Sequence, residues 1–418
     1  MMVMEPRPDP QPVVAAELSP RVRKLWDEVY AFMCEHIFPN EALYEAQLEE
    51  YGETRVPEVF YPLQAKAKAQ GLWNLFLPES EYGAGLTNAD YAPICELMGW
   101  TEWSAGVFNC NAPDTGNMEV LARFGAEAQK QKYLIPLLEG RTRSCYAMTE
   151  PEVASSDATN ISTRIERDGD HYVINGRKWF ASNAYHPDLG IFIVMGKSNP
   201  DAPRHQQHSQ ILVEPNTPGL TKVRHLPVLG YPEMPRGHAE LVFDNVRVPA
   251  ENMILGEGRG FEISQGRLGP GRIHHCMRIV GQAERMLQKI CRRLMSRVAF
   301  GKPLSEQGVW LERVAQIRTE INMCRLLVLH TAHKMDREGN RAAHNEISQI
   351  KVACAQLGTK VGDMGIQAFG AAGLTNDFGI GHAFARLRVL RIADGPDEVH
   401  NYGIGRREFA KHRQDEAA

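Results

Sequence analysis

The hydrophobic periodicity of this chain changes twice, and the order of those changes constrains its fold more than any single element. Helical spacing fills the first third, short strand-like runs follow from near Cys145, and helical spacing returns from Phe261. Ser19 and Pro20 suit a helix start, after which Val22, Leu25, Trp26, Val29 and Phe32 recur on one face. Further helices are expected over 59–70, 88–100, 115–124 and 126–138. The middle runs, at 161–165, 171–174, 179–182, 189–195, 211–214, 226–229 and 238–243, are short and rich in β-branched and aromatic residues. Asn175 with Gly176 predicts a hairpin turn between two of them, and Asp168, Gly169 and Asp170 predict another. Such a segment should form a compact β domain that curls toward a barrel. Stretches over 272–298, 307–337 and 344–370 exceed the usual globular helix and predict a bundle of long antiparallel helices. The expected class is α+β. A flexible arm over 1–16 precedes an N-terminal helical domain over 17–144, a middle β-barrel-like domain over 145–262 and a C-terminal four-helix bundle over 263–418.

Composition removes several classes of function. Lys plus Arg is 47 against 51 Asp plus Glu, a net charge of -4, which provides no basic excess for holding nucleic acid. The eight cysteines show no CxxC and no zinc-ligand spacing, so buried free thiols in a reducing cytosol are expected. Residues 1–16 lack the basic start and apolar run of a signal peptide, and no stretch approaches a membrane span. A cytoplasmic protein without an integral membrane segment follows as the expectation.

The motifs are individually modest. Tyr146, Ala147, Met148, Thr149, Glu150 and Pro151 lead from a strand into Ala154, Ser155, Ser156 and Asp157. Hydroxyls and amides there could hold cofactor oxygens, or simply cap a turn. Residues 178–183 read as a strand with one face available. Gly256, Gly258 and Gly260 miss the dinucleotide spacing, and no P-loop is present. Asp397 and Glu398 fit the first turn of a helix after Gly395 and Pro396, which leaves Asp394 as the carboxylate able to face inward. His274 with His275, on different faces of a helix, and His205 with His208, in a polar loop, make no metal site.

Taken in order, these pieces resemble the acyl-CoA dehydrogenase family over about 20–412. The resemblance rests on Leu77, Pro78, Glu79, Tyr82, Gly83 and Gly85; on Phe124, Gly125, Gln129, Lys130, Tyr133 and Leu134; and on the 146–151 segment with Ser156 and Asp157. It continues through Asn175 to Lys178, Val246 with Pro249, Gly256 to Phe261, Arg297 with Phe300 to Leu304, Gln367 with Gly370, and Asp394 with Gly395. Asn111 to Glu119, Val153 to Asn160 and Gly269 to His275 are most similar to the long- or branched-chain branch called members ten and eleven in animals, though without their extra N-terminal domains. The resemblance therefore implies a stand-alone bacterial enzyme of fatty acid β-oxidation.

What the resemblance implies about chemistry is specific. FAD would accept a hydride from the acyl β carbon while a base takes the α proton. Asp394 stands where the family has its catalytic glutamate, one methylene shorter, and an apolar pocket would raise its basicity. The family's other base position is here Gly271. Tyr146, Met148, Thr149, Ser155, Ser156, Phe180 and Ser182 match flavin-binding positions. Phe180 replaces a tryptophan and Ser182 a threonine. Arg297, Phe300, Gln367 and Gly370 match contacts to an FAD held by a neighbouring subunit, which implies a homodimer or homotetramer. Ser156, Arg272 and Gly395 match positions near the acyl-CoA substrate; Arg272 would hold the Asp394 loop or assist CoA. Pro396 replaces a hydroxyl that often meets flavin. Electron-transferring flavoprotein is the implied acceptor, and no metal is implied. The competing readings are a flavin oxidase of the same fold, acting on nitroalkanes or another small acidic C–H substrate, and a non-catalytic acyl-CoA-binding scaffold. Asn401 stands where such an oxidase would be expected to carry an arginine.

Overall fold

The structure, a computed structural model, describes residues 18–51 and 55–415, so the arm expected over 1–16 lies outside the described residues. The chain divides into two compact units. One comprises the described part of Met1–Pro39 with Leu86–Ala105 and Arg272–Ala418; the other comprises Asn40–Gly85 and Gly106–Gly271.

The first unit is helical. Pro20–Phe32 starts as its sequence suggests, with Pro20 in the first turn and the Ser19 hydroxyl accepting the Val22 N–H at 3.4 Å. Asn88–Met98 opens with a capping box between Thr87 and Asp90. Gly308–Glu338 and His344–Phe369 pack together, and the shorter helices Ile380–Val389 and Asp397–Asp415 pack on the latter. The stripe of Ile279, Val280, Ala283, Met286, Leu287 and Ile290 is buried. A Cβ added at Gly281 would stand 2.1 Å from the Glu96 carbonyl oxygen, so glycine there permits close helix approach. Charges are also buried: Arg325 pairs with Glu96 at 2.8 Å and with Glu284 at 2.5 Å, and Arg318 meets Glu284 at 2.6 Å.

One helix corrects the sequence reading. Instead of 272–298 it spans Gly260–Ser296 and runs through Pro270. Gly269, Pro270 and Gly271 have low helix propensity, which made the sequence look broken there. Proline removes one N–H donor, a loss that a helix of 37 residues absorbs.

The second unit carries a seven-stranded sheet: β1 (Arg143–Ala147), β2 (Arg164–Asp168), β3 (His171–Ser182), β4 (Leu189–Lys197), β5 (His208–Val213), β6 (Leu220–His225) and β7 (His238–Pro249). The order is β1-β4-β2-β3-β7-β6, with β5 on β4. The sheet curls around one core that includes Cys145, Ile165, Ile174, Phe192, Val194, Ile211, Leu241, Phe243 and Val248.

Two strand expectations are corrected. Asn175 and Gly176 do not turn the chain; β3 continues through them, with a register shift against β7 between Ile174 and Gly176. The Asn175 side chain accepts the Asn245 N–H across that bulge at 2.8 Å, and a Cβ at Gly176 would lie 2.5 Å from Thr163 Oγ1. Glycine is thus required by close approach and a bulge. The expected turn between β2 and β3 does form, with Asp168 opposite His171. At 226–229 no strand forms, because Pro227 has no N–H for a ladder; the strand is β6, just before it. All eight cysteines are free thiols. Among the described residues no helix is long and apolar enough to cross a membrane.

Candidate functional site

The site candidates from the sequence fall into two groups, one in each unit. In the helical unit the centre is Asp394, on the connection between Ile380–Val389 and Asp397–Asp415. Its φ is +56°, in the left-handed region, and Gly395 follows at +102°. Aspartate tolerates this region better than most residues, and several side chains fix the loop in it. The Arg272 guanidinium donates twice to the Asp394 carbonyl oxygen, at 3.1 and 3.3 Å, and His400 Nε2 donates to the same oxygen at 3.3 Å. Lys351, fully buried, donates to the carbonyls of Leu390 and Gly395. Arg391 closes the turn onto the Asp397 carboxylate at 2.7 Å.

The carboxylate itself meets His275. The distance from Asp394 Oδ2 to His275 Nε2 is 3.1 Å, and each side chain is 23% exposed. The surroundings differ from the apolar pocket expected from sequence: imidazole, guanidinium and ammonium groups gather around this loop. Burial lowers the pKa of His275 and of Lys351, against the raising influence of Asp394 on both. Burial, with Arg272 and Lys351 nearby, lowers His400 to about 4, so its ring is neutral and able to donate to the Asp394 carbonyl as described.

Four further sequence candidates lie at one end of the bundle. Phe300 tops the tight turn joining Val298–Ala299 to Lys302–Pro303; it has φ +54° and is fully exposed. Arg297, also exposed, accepts the Leu304 N–H on its carbonyl at 2.8 Å. Gly370, at φ +64°, caps His344–Phe369, and its N–H returns to the carbonyls of Gln367 and Ile366. Arg293 ties the two helix ends together by donating to the Phe369 carbonyl at 3.3 Å.

In the sheet unit the loop after β1 is fastened to β3. The buried Lys178 ammonium donates to the Met148 carbonyl and to Glu150 Oε1, both at 2.8 Å. Glu150 also accepts from Ser162 and from the Thr163 N–H. Burial alone would push this carboxyl up; Lys178 and these hydrogen bonds hold it well below the usual range, at about 2. The Thr149 carbonyl accepts the Trp179 N–H at 3.0 Å, which sets the exposed Thr149 beside β3. A second register shift, between Lys178 and Ala181, turns Phe180 outward at φ +49° and 44% exposure. The Ser182 hydroxyl meets His238 Nδ1 at 2.9 Å, and the His238 ring lies 5.9 Å from that of Phe180. Met148, Thr149, Phe180 and Ser182 therefore lie on two adjoining segments.

The chain has relatives of known sequence and structure. Family models described as the N-terminal, middle and C-terminal domains of acyl-CoA dehydrogenase match residues 19–141, 145–246 and 258–409. The chain is 51% identical to mouse acyl-CoA dehydrogenase family member 10 over 94% of its own length, spanning 37% of that protein. It is 49% identical to a Mycobacterium tuberculosis protein named Probable acyl-CoA dehydrogenase FadE2, covering 93% of this chain and 95% of the relative. A solved Mycobacterium abscessus protein assigned as an acyl-CoA dehydrogenase superposes with a TM-score of 0.91 at 48% identity, covering 94% of this chain and 99% of the other.

The chain belongs to the acyl-CoA dehydrogenase family.

Within that family frame, several expected site residues have internal partners. Ser155 Oγ accepts the Glu150 N–H at 2.9 Å, so it staples the turn. The Tyr146 hydroxyl lies 3.1 Å from Ser264 Oγ and accepts from Gln210 at 2.9 Å, with the Arg267 guanidinium 4.1 Å from its ring centre. Ser156 is exposed at the same loop. Asp397 and Glu398 occupy the first turn of their helix, as expected. Sequence reasoning missed His275, His400, Lys351 and His238. A signal existed for the first: Arg272 and His275 are three residues apart and so share a helix face. His400 lies six residues after Asp394 on the helix that follows, whereas Lys351 and His238 come from distant segments to which no local pattern points.

Proposed function

We propose that the chain is an FAD-dependent acyl-CoA dehydrogenase in which Asp394 removes the α proton of a long or branched acyl thioester, giving the trans-2-enoyl-CoA. The observation that carries this reading is the fixed Asp394 loop: a carboxylate on left-handed backbone, with its carbonyl held by Arg272 and His400. A loop fixed from several sides suits a residue whose placement matters.

The residues fit FAD. Phe180 and Phe300 combine a positive φ with an exposed ring, an arrangement unfavourable on both counts that a planar aromatic ligand would offset. Thr149 and Ser182 offer hydroxyls beside Phe180. Bound there, FAD supplies the hydride acceptor for the substrate β carbon. Thr149, Ser182 and Met148 hold the flavin side, with Ser156 near the pyrophosphate and CoA. Arg297, Phe300, Gln367 and Gly370 grip the FAD of a neighbouring copy, so the active form is a homodimer or homotetramer. Arg272 acts on substrate indirectly, by fixing Asp394. Reoxidation passes to an electron-transferring flavoprotein.

The test is anaerobic: saturated acyl-CoAs of graded length are added to the holoprotein while the oxidised flavin band is followed. Bleaching by one length class supports the reading. A fully loaded flavin that no acyl-CoA bleaches contradicts it.

A further inference from the structure

The polarity of the contact between Asp394 and His275 can be read from its neighbours. Arg278 Nη2 lies 3.3 Å from His275 Nδ1. A guanidinium has donors and no acceptor, so Nδ1 must receive that bond and carry a lone pair. Nε2 then bears the ring proton, and it faces Asp394 Oδ2 at 3.1 Å. The imidazole is neutral and donates to the carboxylate. Burial of the ring and the adjacent Arg278 and Lys351 both favour this neutral form.

We propose that His275 is the positioning residue of the Asp394 base: through its Nε2–H it fixes the orientation of a carboxylate one methylene shorter than the usual glutamate. This rests on the assignment of Asp394 as the base. A shorter arm on a fixed loop has fewer torsions with which to find the substrate, and a partner three residues from Arg272 lets one helix face hold both ends of the residue. Arg272 takes the backbone carbonyl and His275 takes the side chain. His275 keeps its own proton while the α proton arrives on the carboxylate. It acts as an orienting donor and not as a relay, because Arg278 occupies the nitrogen that a relay would need.

The ionisable groups around the pair are Arg272, Cys276 and Arg278 on the helix of His275, Lys351 from His344–Phe369, and His400 from Asp397–Asp415. Substituting His275 leaves all of them in place. Removing a donor from an ionised carboxylate makes protonation easier, so the acid limb of flavin reduction should move to higher pH.

Two measurements on the full-length holoprotein test this. The first is the pH profile of flavin reduction by acyl-CoA for His275→Leu and His275→Gln. Leu should lower the plateau rate by about tenfold and raise the acid limb by about one pH unit. Gln, whose amide places a donor near the lost Nε2–H, should restore both. A loss that is purely structural would lower rate or stability without moving the limb, and an unmoved limb in His275→Leu overturns the proposal. The second is the imidazole nitrogen spectrum of histidine-labelled protein, assigned with the same variants. It should report a protonated Nε2 and an unprotonated Nδ1, with the Nε2 signal shifting in Asp394→Asn. A protonated Nδ1, or no response to Asp394→Asn, also overturns it. The two readings can fail separately. If Asp394→Asn is reduced by substrate as fast as the parent, the base assignment falls whatever the imidazole shows. If that variant is inactive while the imidazole ignores it, only the role of His275 falls.

Discussion

Glu119 shows how far one residue can be displaced from its ordinary chemistry. It lies in the helix Asp114–Phe124, is almost fully buried, and neither carboxyl oxygen has a hydrogen-bond partner among the described residues. Arg123 approaches only to 3.8 Å. Burial pushes its pKa up to about 8, which the arginine only partly opposes. The unfolded chain releases this proton near the ordinary glutamate value, so between about pH 5 and 8 the folded state binds the extra proton. Stability should therefore fall as pH rises through that window, by up to about 1.4 kcal/mol per pH unit from this group. Glu119→Gln keeps the shape and removes the titration. Denaturation midpoints across pH 5 to 8 should separate progressively, with the variant the more stable at the upper end. Parallel pH dependence of the two proteins would contradict the account. At this scale the sequence was informative about Asp394 and, through the family resemblance, about Arg272, but silent about its other partners. A carboxylate before a glycine and a helix start is a local pattern, and His400 follows only six residues later, whereas Lys351 reaches the loop only through the tertiary fold.

Among the elements, β3 joins the fold to the site. Its two register shifts against β7 leave Lys178 pointing into the core and turn Phe180 out. Lys178 then anchors the loop after β1 through Met148 and Glu150. Lys178→Met should cost about 3–5 kcal/mol, because it strands the Glu150 carboxylate in the interior. The double change with Glu150→Gln should cost less than the sum of the single changes, as chemical denaturation would show. Equal and additive losses would mean that the pair is not coupled. The strand pattern was legible in sequence wherever apolar residues alternate. It misled at Asn175 and Gly176, where the same dipeptide that makes a tight turn serves a bulge beside Thr163. It misled again near Pro227, where apolar residues suggested a strand that the missing N–H forbids. The long helix was mistaken for a shorter one because propensity at Gly269, Pro270 and Gly271 is a local quantity, while its stability comes from the buried stripe further along.

For the whole molecule, the order of helical, β and helical segments was readable because each needs many residues of one period. Assembly was not, since an exposed residue has the same sequence signature whether it meets water or another chain. Phe300 bears on this most directly. Its ring is exposed on left-handed backbone, so Phe300→Gly removes strain and an apolar surface together. Thermal stability without flavin should be unchanged or higher. Retention of FAD through gel filtration should fall, and the particle should contain more than one chain. Full retention of FAD would remove Phe300 from the proposed shared site. The central claim remains the role of Asp394, and it is tested most directly by anaerobic titration of yellow Asp394→Asn beside the parent with the same acyl-CoA series. The account predicts that a preferred chain length bleaches the parent, while the variant binds FAD equally and stays oxidised. A variant bleached as readily as the parent would contradict it.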